Sequence, residues 1–256
     1  MMNNENILLV DAGNTSTCIA SHNGNSLSSI SRIDTRLCST ASVRYIIAKT
    51  FKRKLMAGGI LCSVVPKVNQ FWIREINRIT GKDPIVVNYK LDFGVKLDYP
   101  EPQTLGPDRL ANVCAVVEKY GFPVMVADFG TAATFDVVNA KCTFIGGIIA
   151  PGLRVMTDYM ADRTALLPRI NINGSLPRIG RTTVEAMKIG AIAGYRGLVY
   201  GITQYIIKKN KLGRIKLVAT GGLAETVLRG NNLRYQVDKS LTMRGLYRIY
   251  KLNNKK

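Results

Sequence analysis

LLVDAGNTSTCIA at residues 8–20 and VMVADFGTAATFDVV at residues 124–138 are the two stretches whose reading decides the fold. Each reads as an apolar strand, then Asp-x-Gly with Asn-Thr or Thr-Ala behind it, then a second strand of alternating pattern. Asp11 and Asp128 stand about half a chain apart. A unit echoed at half-length predicts two similar halves facing each other across a cleft.

The rest of the chain extends that pattern. The first half predicts strands near 7–10, 15–21 and 26–33, a helix near 41–54 and a strand near 60–64. A helix then opens at Pro66, a good first helical position, and a strand follows near 85–88. The second half predicts strands near 124–128, 134–138 and 144–149, and helices near 152–161 and 183–208. A strand at 215–219 and a short helix after Gly222 complete it. Each half is a β-meander followed by alternating helix and strand, which predicts an α/β fold with mixed sheets and flanking helices. The boundary falls near 105–122, giving lobes of 1–110 and 111–256.

Composition closes several routes. The chain has 256 residues and is 46% hydrophobic, enough for a sizeable core, so disordered and disulfide-scaffold readings fall away. Cys18, Cys38, Cys62, Cys114 and Cys142 are odd in number and widely spaced, which suits buried thiols in a reducing compartment. His22 is the single histidine, so a multi-histidine metal site within one chain is excluded. In Ser-His-Asn-Gly-Asn it reads as an exposed turn residue. The N-terminal stretch lacks a basic leader, and no run approaches the ~18 apolar residues of a membrane span. A soluble, cytoplasmic protein with no membrane partner is expected.

The net charge is +19, and residues 203–256 carry 13 Lys and Arg against two Asp and Glu. Such a balance favours anionic partners: nucleotides, nucleic acid or anionic small molecules. A solvated basic helix face with a basic tail is the simpler explanation. Aromatic residues are only 7% of the chain, so a base-stacking platform is poorly supported and no specific nucleic-acid partner is expected.

The two hairpins are the first candidates for chemistry. Asp11-Ala12-Gly13-Asn14-Thr15 offers a glycine for close backbone approach, and Asn and Thr groups for phosphate oxygens. Its carboxylate suits Mg²⁺, which prefers hard oxygen ligands. An ordinary β-turn would account for this motif alone. Asp128-Phe129-Gly130-Thr131-Ala132 repeats it, and the pair points to a phosphate clamp. No P-loop and no G-x-G-x-x-G after a strand is present. Thr220-Gly221-Gly222 follows a strand directly, as either a phosphate contact or a tight turn. Gly106-Pro107-Asp108-Arg109 precedes an amphipathic stretch. Asp108 is either the cap of that helix or a carboxylate that takes a proton from an attacking hydroxyl, with Arg109 beside it for an anion.

Taken in order, D-A-G-N-T (11–15), Y-P (99–100), G-P-D-R (106–109), D-F-G-T-A (128–132), G-G-I-I-A-P-G (146–152), T-T-V-E-A-M (182–187), T-G-G (220–222) and L-T-M-R-G-L (241–246) resemble type III pantothenate kinase. That family belongs to the superfamily of acetate and sugar kinases, heat-shock chaperones and actin. The resemblance implies two ribonuclease-H-like, actin-like lobes and ATP-dependent phosphorylation of pantothenate, the first step towards coenzyme A. It implies ATP phosphates held by Asp11, Ala12, Gly13, Asn14, Thr15, Ser16, Thr17 and Cys18, with Thr131 from the other lobe. Tyr99, Gly106, Pro107, Asp108 and Arg109 would contact pantothenate, with Asp108 the proton acceptor. Asp128 would bind K⁺ or NH₄⁺, with Mg²⁺ accompanying ATP. Thr183 would contact pantothenate in the partner subunit of a homodimer. Arg181-Thr182 departs from that family's Lys-Asn-like pair. The alternatives are another small-molecule kinase of the superfamily, or a non-catalytic regulatory or nucleic-acid-binding protein on the same fold.

Overall fold

The computed structural model describes residues 5–51, 55–230 and 232–254. Its contacts divide the chain into two units, Met1–Lys119 with Ser240–Lys256, and Tyr120–Lys239.

In the first unit, β1 (Asn6–Ala12), β2 (Ser16–His22), β3 (Ser31–Asp34), β4 (Met56–Ser63) and β5 (Ile85–Val86) form one sheet in the order β3-β2-β1-β4-β5. The β1–β2 and β2–β3 pairs are antiparallel, and β4 and β5 add in parallel. This is the ribonuclease-H-like arrangement. β1 reads as a continuous apolar run because both faces of the sheet are covered. Gly58 and Gly59 show it: their missing side chains leave room for Tyr250 and Ile76 respectively. Neighbouring strand residues point to opposite faces, so the two covering helices lie on opposite sides. These are α7 (Leu241–Asn253) and α2 (Pro66–Thr80). Leu8, Val10, Ile19, Leu61, Trp72 and Ile76 are fully buried in this core. α1 (Thr40–Phe51) matches the helix expected from residue 41, and positions 52–54 of that expectation lie outside the described residues. The two-residue strand β6 (Lys96–Leu97) precedes α3 (Pro107–Tyr120).

The expected lobes of 1–110 and 111–256 put α3 and the C-terminal segment together in the second lobe; the contacts place both with the first sheet. Gly245 of α7 lies so close to the Ala111 backbone of α3 that a Cβ has no room. Thr242 donates to Asn112 Oδ1 at 2.8 Å, and Asn253 exchanges hydrogen bonds with the Asp92 backbone.

In the second unit, β7 (Val124–Phe129), β8 (Ala132–Val138), β9 (Thr143–Pro151), β10 (Lys216–Thr220) and β11 (Gln236–Val237) run in the order β11-β10-β7-β8-β9. β7, β8 and β9 form the antiparallel meander, while β10 and β11 add in parallel. The expected echo is therefore real at the level of topology. Helices α4 (Leu153–Arg163), α5 (Thr183–Lys209) and α6 (Ala224–Leu228) flank the sheet. Met125, Phe129, Phe135, Tyr195 and Val199 centre its core.

The reading of His22 is overturned as well. His22 is only 8% exposed and stacks on Tyr247, with ring centroids 3.6 Å apart and planes 15° apart. The turn begins one residue later, at Asn23, whose Oδ1 accepts from the backbones of Asn25 and Ser26. His22 is thus the last residue of β2. Its Nδ1 accepts from Gly24 N, and burial, helped by Arg244 and Lys251, pushes its pKa down. The five cysteines form no disulfide with one another; Cys62 and Cys114 are buried, whereas Cys18, Cys38 and Cys142 are only half-buried. Among the described residues, no helix is long and apolar enough to cross a membrane, and no group of three or more His, Cys, Asp or Glu is placed to hold a metal.

Candidate active site

Asp11 and Asp128 are each the penultimate residue of a hairpin's first strand. Asp11 lies between Cys18 of β2 and Cys62 of β4; Asp128 lies between Thr134 of β8 and Thr220 of β10. Both carboxylates are half-buried. The next carbonyl along each strand is also used alike: Ala12 O accepts from Val64 N at 3.1 Å, and Phe129 O accepts from Leu223 N at 3.3 Å. A loop from the neighbouring parallel strand thereby ties down each hairpin.

The turns differ in length. Gly13 N donates to Ser16 O at 3.1 Å, leaving Asn14 and Thr15 exposed at the tip. Gly130 N donates to Ala132 O at 3.1 Å, leaving Gly130 and Thr131 exposed. Thr17 is fully buried, and its hydroxyl is 3.0 Å from that of Thr35. Cys18 is half-buried, with its Sγ accepting from Arg32 Nε at 3.3 Å. The solvent-facing part of the first hairpin is thus its tip.

Thr220-Gly221-Gly222 closes against the second hairpin. Gly221 has φ 92°, and a Cβ there would come within 2.5 Å of Asp128 Oδ1 and 2.6 Å of Phe129 N. Glycine lets the turn pass against the carboxylate. The donors offered at Asp128 and Asp11 are hard oxygens, which suits an alkali ion or Mg²⁺ and not a soft metal. Among the described residues, neither aspartate stands in a group of three or more His, Cys, Asp or Glu that would build a dedicated multidentate cage.

At the start of α3, Gly106 O accepts from Leu110 N at 3.2 Å, so the helix begins after Gly106 and Asp108 lies inside the first turn. Asp108 is therefore not the cap residue. Its Oδ1 still accepts from Arg109 N at 2.8 Å, and it leans over Gly106, where a Cβ would come within 2.5 Å of that oxygen. Burial pushes the Asp108 carboxyl above its usual range, against the opposing pull of Arg109's N–H and charge. Arg109 is itself buried, and Tyr99 is half-buried.

Thr183 is the first residue of α5 and is exposed; the cap is its neighbour, Thr182. Thr182 Oγ1 accepts from Glu185 N at 3.2 Å, and Glu185 Oε2 accepts from Arg181 N at 2.8 Å. Thr-x-x-Glu before an apolar run is the local signal for this cap. Thr35, bound to the back of the first hairpin, has no such short-range signal.

Residues 7–205 match the sequence profile described as type III pantothenate kinase. The chain belongs to the type III pantothenate kinase family. It is 44% identical over 188 residues to the type III pantothenate kinase of Akkermansia muciniphila, an alignment spanning 73% of this chain and 75% of that protein. Over 255 residues it is 35% identical to the type III pantothenate kinase of Dictyoglomus turgidum, spanning 96% of this chain and 99% of that one. In fold it is similar to a Campylobacter jejuni protein named for the Baf family of transcriptional activators, with TM-score 0.58 and 20% identity over 95% of this chain and 97% of the other. Within the type III kinase family, both Asp-x-Gly hairpins, Tyr99, Asp108 and Thr183 fall inside the matched span.

Proposed function

We propose that this chain transfers the terminal phosphoryl group of ATP to the primary hydroxyl of pantothenate, the committing reaction towards coenzyme A, in the cytoplasm. Family membership over 7–205 carries the reading. The geometry of the site supports the following division of roles. Asp108 accepts the hydroxyl proton: burial makes its carboxylate a stronger base than an exposed one, and the Arg109 N–H fixes Oδ1, orienting the group. Arg109, Tyr99, Gly106 and Pro107 are assigned to pantothenate. Asp11, Ala12 and the turn from Gly13 to Ser16, exposed at Asn14 and Thr15, are assigned to ATP phosphates, with Thr131 on the second hairpin. Phosphoryl transfer asks chiefly for positioning and charge neutralisation. Mg²⁺ with ATP, and K⁺ or NH₄⁺ at Asp128, supply that neutralisation in a chain with no P-loop lysine motif.

The working unit is a homodimer, with Thr183 directed to the partner's pantothenate. Val155, Met156, Tyr159 and Met160 on α4, and Tyr200 and Tyr205 on α5, are large apolar side chains left exposed. Exposed apolar patches of this kind mark interfaces. Added Cβ atoms at Gly190, Gly194, Gly197 and Gly201 would meet open space, so α5 offers a low ridge to a close neighbour.

A coupled assay with pantothenate and ATP, run in potassium and then in sodium at equal ionic strength, tests the reading. Turnover is expected in potassium and a sharp fall in sodium. No phosphopantothenate in either salt overturns the activity, and equal rates overturn the role of Asp128.

A further inference from the structure

The back of the first hairpin holds a chain of side-chain hydrogen bonds whose order is set by its ends. Thr35 Oγ1 donates to the carbonyl of Gly13 at 2.7 Å. Having spent its proton there, Thr35 Oγ1 accepts from Thr17 Oγ1 at 3.0 Å. Thr17 Oγ1 in turn lies 3.8 Å from Cys38 Sγ, whose single proton is shared between that hydroxyl and the Asp34 carbonyl at 3.7 Å. Burial pushes the Cys38 pKa up, which keeps the thiol protonated and a donor at neutral pH. Thr35 N also donates to Thr15 O at 3.2 Å. Thr35 and Thr17 are both buried, which shields the bond between their hydroxyls from water.

We infer that Thr35 is a positioning residue for ATP binding, holding the Gly13–Ser16 turn from behind through its hydroxyl and its backbone N–H, with Thr17 as its support. This rests on the kinase reading above, which assigns that turn to phosphate. The carbonyls of Gly13 and Thr15 are pinned from the inner side. A peptide unit is planar, so pinning the Gly13 carbonyl also fixes the direction of the Asn14 N–H on the other side of the same peptide. A carbonyl that accepts a hydrogen bond polarises its amide, and bonds in a chain strengthen one another. The Asn14 N–H thus becomes both better aimed and a better donor to an anion. Both hydroxyl protons run towards Gly13, and the buried Thr17 hydroxyl is consumed in the chain instead of facing a ligand.

Thr35→Val keeps the shape and removes the hydroxyl. Removing a hydrogen bond that organises an anion site typically weakens it by about tenfold. The expected result is a KM for ATP raised by about that factor, an unchanged KM for pantothenate, and recovery to near the parent in Thr35→Ser. A structural role alone would lower the melting temperature without splitting the two KM values. Thr17→Val, which removes the support one step back, should weaken ATP in the same sense by less. It carries the test if Thr35→Val does not fold. Titrating Mg-ATP into parent and variant by calorimetry reads the same quantity without pantothenate. A parent that binds ATP yet phosphorylates no pantothenate would therefore sink the assigned substrate and leave this inference standing. Unchanged ATP affinity in Thr35→Val, or no recovery in Thr35→Ser, overturns it.

Discussion

Behind the first Asp-x-Gly hairpin stands a threonine side chain; behind the second stands a glycine backbone. Thr35 reaches the Gly13 carbonyl with a hydroxyl, whereas Gly152 N donates directly to Thr131 O at 3.0 Å. Gly152 lies against the hairpin so closely that a Cβ would come within 2.5 Å of Gly130 O, and closer still to Thr131 O. The same strand–turn–strand unit is thus held by a side-chain hydroxyl in one unit and by a backbone hydrogen bond with close backbone packing in the other. Repeating a topology fixes where the aspartate sits in the sheet, but not what braces the turn beyond it. The chemistry is unequal as well. After β5 the first unit continues through β6 to α3 and Asp108, while after β10 the second continues to the five-residue α6.

Removing the proposed base strikes that inequality hardest. Asp108→Asn keeps the shape but cannot take a proton, and general-base contributions are about 10²- to 10⁴-fold in rate. The lower end fits phosphoryl transfer, in which proton transfer is late. Stability should move the other way. Asp108's folded pKa is raised by burial, so its ionised form is disfavoured by folding. Its favourable contribution is complete below the unfolded pKa and is lost as pH rises through the folded one. At pH 7 the asparagine variant should therefore melt no lower than the parent, and any gain should shrink on acidification towards pH 4 or below. Turnover by the parent should also fall on acidification, beginning above the ordinary carboxylate range. Wild-type turnover in the variant would leave Asp108 as a first-turn residue with no part in the chemistry.

Bracing by contact is tested next. Gly152→Ala forces a methyl against two carbonyl oxygens of the second hairpin, and overpacking of this kind costs about 1–3 kcal/mol. A lowered melting temperature is expected, larger than that of Thr35→Ser in the first hairpin, where the hydroxyl is retained. An alanine variant as stable as the parent would show that the second hairpin yields, and the contrast between the two supports would disappear.

How much of this was legible in the sequence depends on the range of each signal. Asp11 and Asp128 were readable because a strand, a turn and a second strand are encoded within about a dozen neighbouring residues each. The paired meanders and the parallel strands after them followed from the same short-range patterns. The return of α7 was not readable, because it depends on Gly58 facing Tyr250 and on Gly245 facing Ala111, glycines whose meaning appears only once distant segments meet. His22 failed for the same reason: the Asn23-Gly24 turn was real, yet the ring's burial is decided by Tyr247 at the far end of the chain. Thr35 is remote in sequence from Gly13, so no spacing rule connects them.

The smallest test lies at the start of α5, where two adjacent threonines stand in different local settings. Sequence alone allows either Thr182 or Thr183 to cap α5. The structure separates them: Thr182 accepts from Glu185 N, while Thr183 is helical and exposed. Loss of a threonine cap costs about 1 kcal/mol. Thr182→Ala should therefore lower the melting temperature of the protein slightly, and Thr182→Ser or Thr182→Asp should restore it, since either side chain supplies the accepting oxygen. Thr183→Ala removes no cap bond and should leave the melting temperature unchanged. If Thr183 serves pantothenate in a partner subunit, its alanine variant should instead raise KM for pantothenate. The pair of variants thus assigns one threonine to the helix and the other to the substrate. A Thr183→Ala protein that melts early with an unaltered KM would reverse the two roles, because the observed hydroxyl contact would then be attached to the wrong residue.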